Sequence, residues 1–371
     1  MNTASRFHSS PGFLYTKSML EALMDQLAAS RALSDEEVRS AVEILLDEQT
    51  PAQAKADFLI ALARKGETIA EIAAFARELR ARSIHPPLDP ETRSREILDV
   101  CGTGGDRLNT FNISTTVALV AASAGVTVAK HGNRAITSQA GSADVLEALG
   151  IPIDLSPEQA AHALREHHFA FFFAPKYHPA FKHIGPARKL CAERGQRTIF
   201  NFLGPLLNPA RPTAQLVGVP RPELCEPIAR VLQSLGARRG MVVSGCVESA
   251  GSVPSAWLDE LSTLGPNTIA EFYQENGFAS SVLSPRDFPV QPAALADLSG
   301  GNRETNAAIV RRLLAGEDRG PRRDAVLLNS GAALFVAGKS ASLTDGWALA
   351  AELIDSGQAR KKLEALAALR L

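Results

Sequence analysis

The sequence predicts an α/β protein in two parts: a small all-helical N-terminal domain and a large α/β domain with a mostly parallel central sheet. Three observations carry that prediction. Up to residue 85 the chain carries helix signals only. After Pro90, short apolar runs alternate with helical stretches. Several of those runs open into loops rich in glycine, cations or hydroxyls. With 371 residues, 45% of them hydrophobic, the chain can bury a sizeable core.

Residues 1–17 lack the apolar core of a secretory signal and read as a disordered tail. The helical domain spans 18–85, and a later helical segment near 140–200 is a candidate to complete it. Leu20, Leu23, Met24 and Leu27 give its first helix one apolar face. Ser34 and Glu37 form a capping box, flanked by Leu33 and Val38 as a hydrophobic staple. Thr50-Pro51-Ala-Gln53 reads as a cap with a first-turn proline. Gly66 stops that helix, and Thr68 with Glu71 opens the next. The proline-rich stretch from Ser83 to Pro90 marks a boundary or hinge.

The α/β domain is expected over residues 90–371. Strands are predicted at 97–101, 126–130, 169–173, 216–219 and 241–244. Helices are predicted at 112–124, 142–149, after Ser156, and at 223–235. The stretch from Cys246 to Trp257 reads as a flexible loop.

Bulk properties exclude several classes. A net charge of −1 gives no general attraction to nucleic acid or an anionic membrane. No apolar run reaches the length of a membrane span. The four cysteines, Cys101, Cys191, Cys225 and Cys246, form no CxxC pair and read as idle thiols in a reducing compartment. The chain is expected to be cytoplasmic.

Four segments carry chemistry. Asp99-Val-Cys-Gly-Thr-Gly-Gly-Asp106 lets backbone N–H groups approach a ligand. Asn112-Ile-Ser-Thr115 then opens a helix whose positive end faces the same space. With hydroxyls from Thr110, Ser114 and Thr115 this suits a phosphate. It is neither a P-loop nor GxGxxG, because no Gly-Lys-Ser/Thr follows and Arg107 replaces the last glycine. A plain strand-to-helix turn has the same composition. Lys130-His-Gly-Asn-Arg-Ala-Ile-Thr-Ser138, followed by Gly141-Ser142, supplies two cations, an imidazole and an amide at a strand end; a solvated loop is the other reading. Pro175-Lys-Tyr-His-Pro179 leads to Arg188, a suitable carboxylate partner or an ordinary exposed helix residue. Asp259-Glu260 offers hard oxygen ligands to Mg²⁺, or caps a helix.

On these residues the chain resembles the anthranilate phosphoribosyltransferase family, from about Met19 to the C-terminus. The likeness rests on GTGGD, NIST, and KHGNR running into GSADVLEALG. It continues through His178-Pro179 to FNFLGPLLNPARP, LDELS and RRDAVLLNSGAALFVAG. The resemblance implies the two-domain fold with a cleft at the hinge, and usually a homodimer. It implies that Gly102, Gly105, Asp106, Thr110, Asn112, Ile113, Ser114 and Thr115 line the site for 5-phosphoribosyl pyrophosphate (PRPP). Lys130, His131, Gly132, Asn133, Arg134, Ala135, Ile136, Thr137, Ser138 and Ser142 would continue that site. Gly102, Asn133, Arg188 and Pro175 would contact anthranilate. Ser114, Asp259 and Glu260 would bind Mg²⁺, two ions per active site. His131 and Arg188 are the implied catalytic residues, His131 for orientation or proton handling and Arg188 for the anthranilate carboxylate.

The chain departs from the family pattern in places. Twelve residues separate Gly245 from Leu258, where the family has a shorter connection, and Ser244 stands where histidine is frequent. The stretch from Arg188 to Arg197 is longer than usual, and Gln139-Ala140 replaces a more basic pair. The implied reaction joins the anthranilate amine to the ribose of PRPP, releasing pyrophosphate, in tryptophan synthesis. The alternatives are a pyrimidine nucleoside phosphorylase-like enzyme and a non-enzymatic nucleic-acid-binding paralogue. The intact GTGGD loop and the net charge of −1 argue against the second.

Overall fold

The computed structural model describes residues 11–135, 139–248, 256–274 and 277–370, with side chains from residue 18 onward. It divides into two compact units: Met1–Arg82 with His178–Leu203, and Ser83–Tyr177 with Gly204–Leu371. The α/β unit is therefore interrupted, and does not run unbroken from residue 90.

The helical unit holds helices Pro11–Ala28, Asp35–Leu46, Ala52–Lys65, Ile69–Ala81 and Gly185–Glu193. The first begins at Pro11, inside the expected tail, because proline fits a first helical turn and its apolar face starts only later. Leu23 and Leu27 from that face are buried. Both predicted capping boxes form, at Ser34/Glu37 and Thr68/Glu71. Thr50 does not cap: its hydroxyl donates to Asp47 Oδ2 at 2.8 Å, and Pro51 takes the cap position. The buried Lys55 ammonium donates to the carbonyls of Asp47 (2.6 Å) and His183 (3.0 Å), tying the later segment into the unit.

The α/β unit is built on strands β1 (Ile97–Gly102), β2 (Thr127–Gly132), β3 (Phe169–Phe173), β4 (Ala214–Gly218), β5 (Arg239–Val247), β6 (Ala256–Leu258), β7 (Asn267–Tyr273) and β8 (Gly277–Leu283). The order is β3-β2-β1-β4-β5-β7-β8, with β6 also paired to β5. The first five strands of that order are parallel, as predicted. β6, β7 and β8 extend the sheet in antiparallel fashion, which the sequence reading lacks. The ends of the stretch read as a flexible loop are strands: Cys246 pairs with Trp257 and Val247 with Ala256. Residues 249–255 of that stretch lie outside the described residues.

Parallel strands covered on both faces read as continuous apolar runs, which is why Phe169–Phe173 was legible. Val100, Val128, Phe171, Leu216 and Val243 join one core with helices Ile113–Ser123 and Pro321–Val336. Ile97, Ala129, Ala170 and Phe172 face a second core with Leu164 and Tyr177. Because these strands run parallel, the loops that follow them gather at one edge of the sheet, at the carboxyl ends. There β1, β2 and β4 each end on glycine: Gly102, Gly132 and Gly218.

Candidate active site

Two of those terminal glycines make room for Asp259. A Cβ on Gly102 would collide with the Asp259 side chain, and one on Gly218 with the Asp259 carbonyl. The segment after β6 thus lies directly on the ends of β1 and β4. It is pinned by the buried Asn329 of helix Pro321–Val336. The Asn329 Oδ1 accepts from the Leu261 N–H (2.9 Å) and its Nδ2 donates to the Leu261 carbonyl (2.8 Å).

The glycine loop turns its amides onto this segment. Gly104 and Gly105 have φ of 75° and 88°, which favours glycine; Arg107 (62°) adopts the left-handed region without being one. The Gly104 N–H donates to Asp259 Oδ2 at 2.6 Å. The Ser114 N–H, in the first turn of helix Ile113–Ser123, donates to Glu260 Oε1 at 3.2 Å. Two amides of the loop and helix start expected to face a phosphate hold the protein's own carboxylates in this structure. Burial raises the Asp259 carboxyl well above its ordinary range, with the charges of Asp106 and Glu260 adding to it. Burial also raises Glu260, opposed by the Lys130 ammonium.

Lys130 lies beneath the loop, not in solvent. It is 1% exposed, and its ammonium donates to the Val100 carbonyl (2.7 Å) and Ser114 Oγ (3.3 Å). Its charge therefore supports the loop from below. Burial pushes its pKa down; the Asp99 carboxylate is the largest opposing influence. Asp99 is fully buried and raised to about 6, by desolvation outweighing Lys130 and its hydrogen bonds. It accepts from the His131 N–H (3.3 Å) and from Asn208 Nδ2 (2.9 Å). Asn208 also donates to the Ala129 carbonyl (2.7 Å), so one buried amide joins β1, β2 and the loop after residue 204. The His131 ring places Nδ1 3.3 Å from the Gly204 carbonyl. A carbonyl only accepts, so Nδ1 carries a proton.

The KHGNR segment is anchored from its far side. A Cβ on Gly132 would collide with the Ser142 hydroxyl, and the Asn133 carbonyl accepts from the Ala143 N–H (3.2 Å). Asp144 Oδ2 accepts from the N–H groups of Ala135 and Gly141, both at 2.9 Å. Arg134, predicted as a phosphate cation, instead pairs with Asp144 (2.9 Å) and Glu147 (3.0 Å), to which the sequence reading gave no role. Asn133 is exposed, as is Pro175 in the helical turn after β3. The Ile113 and Thr115 side chains are buried; Gly105 and Thr110 lie in the loop itself. Ile136, Thr137 and Ser138 lie outside the described residues.

Arg188 belongs to the helical unit, on helix Gly185–Glu193. Its guanidinium lies over the Phe200 ring, 5.6 Å from the centroid, and burial lowers its pKa.

The structure brings together Gly102, Asp106, Ser114, Lys130, Asp259 and Glu260 from the sequence list. It adds Asp99, Asn208 and Asn329, which that list lacks. Their signal was present: an amide or acid inside an apolar run, as in LLNPA and VLLNSGAA, needs a buried partner. Two carboxylates, a hydroxyl and a neighbouring third acid form an all-oxygen donor set that suits Mg²⁺. Among the described residues no three His, Cys, Asp or Glu side chains form a ready-made metal cage. Mg²⁺ bound through one or two carboxylates and substrate phosphates requires none.

Comparison with known proteins finds relatives that span nearly the whole chain. Residues 17–83 match the helical bundle domain of a glycosyl transferase family, and residues 94–360 match its a/b domain. The anthranilate phosphoribosyltransferase of Moorella thermoacetica is 47% identical over 353 residues, 94% of this chain and 98% of that protein. That of Solibacter usitatus is 46% identical over 350 residues, with 94% and 98% covered. The crystal structure of anthranilate phosphoribosyltransferase from Thermus thermophilus superposes with a TM-score of 0.81 at 42% identity, covering 93% of this chain and 98% of that one. The Saccharomyces cerevisiae enzyme in complex with PRPP and Mg gives 0.80 at 27% identity, covering 94% and 97%.

Proposed function

The chain belongs to the anthranilate phosphoribosyltransferase family, and from that premise we propose that it transfers the phosphoribosyl group of PRPP to the amine of anthranilate. The products are N-(5-phosphoribosyl)anthranilate and pyrophosphate. The observation that carries the reading is the pair Asp259 and Glu260, set on the amides of the glycine loop and of a helix N-terminus. Its support from relatives is a yeast enzyme of this name seen with PRPP and Mg, and also with 4-fluoroanthranilate.

An aromatic amine is neutral at pH 7, so its lone pair needs no strong base. The nitrogen forms a bond to C1 of the ribose, the bond from C1 to the pyrophosphate oxygen breaks, and the amine proton passes to solvent. What the residues must supply is orientation and charge. Asp259, Glu260 and Ser114 would hold Mg²⁺, two ions per site in this reading. When bound, the metal offsets the negative charge of the departing pyrophosphate. Gly102, Gly105, Asp106, Thr110 and the Asn112–Thr115 turn would hold the donor, with Lys130 to Ser138 and Ser142 continuing its site. Lys130 acts through Ser114 and the loop above it. Arg188, oriented by Phe200, would take the anthranilate carboxylate, with Asn133, Gly102 and Pro175 beside the ring. His131, held through Nδ1 by the Gly204 carbonyl, would serve orientation or proton handling.

The reading extends to a place in tryptophan synthesis, a homodimer and the cytoplasm. Pyrophosphate release tests it: it should require both anthranilate and PRPP, in a one-to-one ratio with anthranilate consumed. Phosphate-dependent cleavage of pyrimidine nucleosides, without that release, would replace it with a phosphorylase.

A further inference from the structure

The glycine loop has a second brace, which no motif in the sequence contains. Residues 298–306 run alongside it. The Phe111 N–H donates to the Leu298 carbonyl (3.0 Å), and the Gly300 N–H to the Asn109 carbonyl (2.9 Å). Thr110 and Ser299 form an antiparallel bridge between them. The approach is close enough that a Cβ on Gly300 would come within 2.8 Å of the Phe111 Cα.

Asn306 closes this brace. It is 2% exposed, in the first turn of helix Arg303–Leu314. Its Oδ1 accepts from the Gly301 N–H (2.7 Å), and its Nδ2 donates to Asn112 Oδ1 (2.8 Å). Asn112 Nδ2 then donates to the Ala140 carbonyl (3.3 Å). Both ends fix the polarity of the chain. An N–H can only donate and a carbonyl can only accept, so each amide has one allowed orientation. Asn112 stands at the cap of helix Ile113–Ser123, yet its side chain makes no cap bond. It is spent on this link instead.

We propose that Asn306 is a positioning residue for the ribose-phosphate donor. It sets the orientation of Asn112, and through Asn112 it couples the glycine loop to the end of the loop that KHGNR opens. This rests on the reading of Asn112 as part of the PRPP site. A directed hydrogen-bond link fixed before the donor arrives lowers the ordering cost of binding at the residues it joins.

The test is Asn306→Asp. It keeps the acceptor for Gly301 but turns the donor toward Asn112 into an oxygen. The PRPP KM should rise about tenfold, the scale of one buried hydrogen bond lost and an acceptor left unpaired, while the anthranilate KM stays within about twofold. In an Asn112→Ala background the same change should add less than about twofold, since both substitutions break one link. If Asn306→Asp does not fold, Asn306→Ala removes the link without burying a charge and carries the same expectations. An unchanged PRPP KM, an equal rise for both substrates, or additivity with Asn112→Ala would overturn the inference while leaving the wild-type reaction intact. A wild-type protein that does not turn over PRPP with anthranilate would overturn the functional reading and this inference with it.

Discussion

Lys130 illustrates how one residue supports a site without reaching into it. Its ammonium is buried against the Val100 carbonyl and the Ser114 hydroxyl, with Asp99 and Glu260 as the nearby negative charges. Replacing it by methionine would leave those carboxyls without their cation. We expect Lys130→Met to cost about 3–5 kcal/mol in chemical denaturation, the range for breaking a buried pair by removing one partner. Asp259 and Glu260 are expected to behave differently. Burial disfavours the charge on both carboxyls, so Asp259→Asn with Glu260→Gln should preserve stability and abolish Mg²⁺-dependent turnover. Turnover that stays Mg²⁺-dependent in the double variant would remove the metal assignment. For Arg188→Ala, the anthranilate KM should rise by about tenfold or more, with a smaller effect on the PRPP KM; equal losses for both would count against a carboxylate contact.

Elements determine where those residues stand. Gly218 at the end of β4 has no room for a Cβ, because the Asp259 backbone occupies the space. Gly218→Ala must displace the whole carboxylate segment, so kcat should fall sharply while far-ultraviolet circular dichroism stays unchanged. In the helical unit, Glu71 plays the matching part. Its carboxylate is buried and accepts from the N–H groups of Leu33 (2.9 Å) and Thr68 (2.9 Å) and from the Lys65 ammonium (2.7 Å). Burial alone would raise its pKa, but those bonds outweigh burial and hold it below 4.5. A lowered folded value means stability that is present above the unfolded pKa and lost as pH falls through the folded one. Hydrogen exchange should therefore show helices Asp35–Leu46 and Ile69–Ala81 losing protection below about pH 4. In Glu71→Gln the protection should be lower at neutral pH and nearly flat across that acid range.

At the scale of the whole molecule, the parts legible in the sequence were those with local chemistry. The capping boxes at Ser34 and Thr68, the parallel strands and the glycine loop follow from residues within a few positions of each other. The fold class followed from their alternation. The antiparallel extension did not, because β8 (GFASSVL) is largely exposed and its apolar residues Phe278, Val282 and Leu283 follow no regular alternation. The return of His178–Leu203 to the helical unit depends on partners far away, such as Lys55. The site divides in the same way. The loop glycines and acids were legible, since glycine at a strand end and paired carboxylates carry their meaning locally. Lys130 and Arg134 were identified as cations, but not their settings, which Asp99, Asp144 and Glu147 decide from other elements. Asn208 and Asn329 stand inside apolar runs that mark them as needing buried partners, but which partners they and Asn306 meet is set only by folding.

The most direct test of the proposed transfer is the loss of anthranilate fluorescence on adding PRPP to the purified protein, with and without Mg²⁺. The predicted result is a decay that needs both PRPP and Mg²⁺ and disappears in the Asp259→Asn, Glu260→Gln double variant. A decay equally fast without the metal, or none when all three components are present, would contradict it.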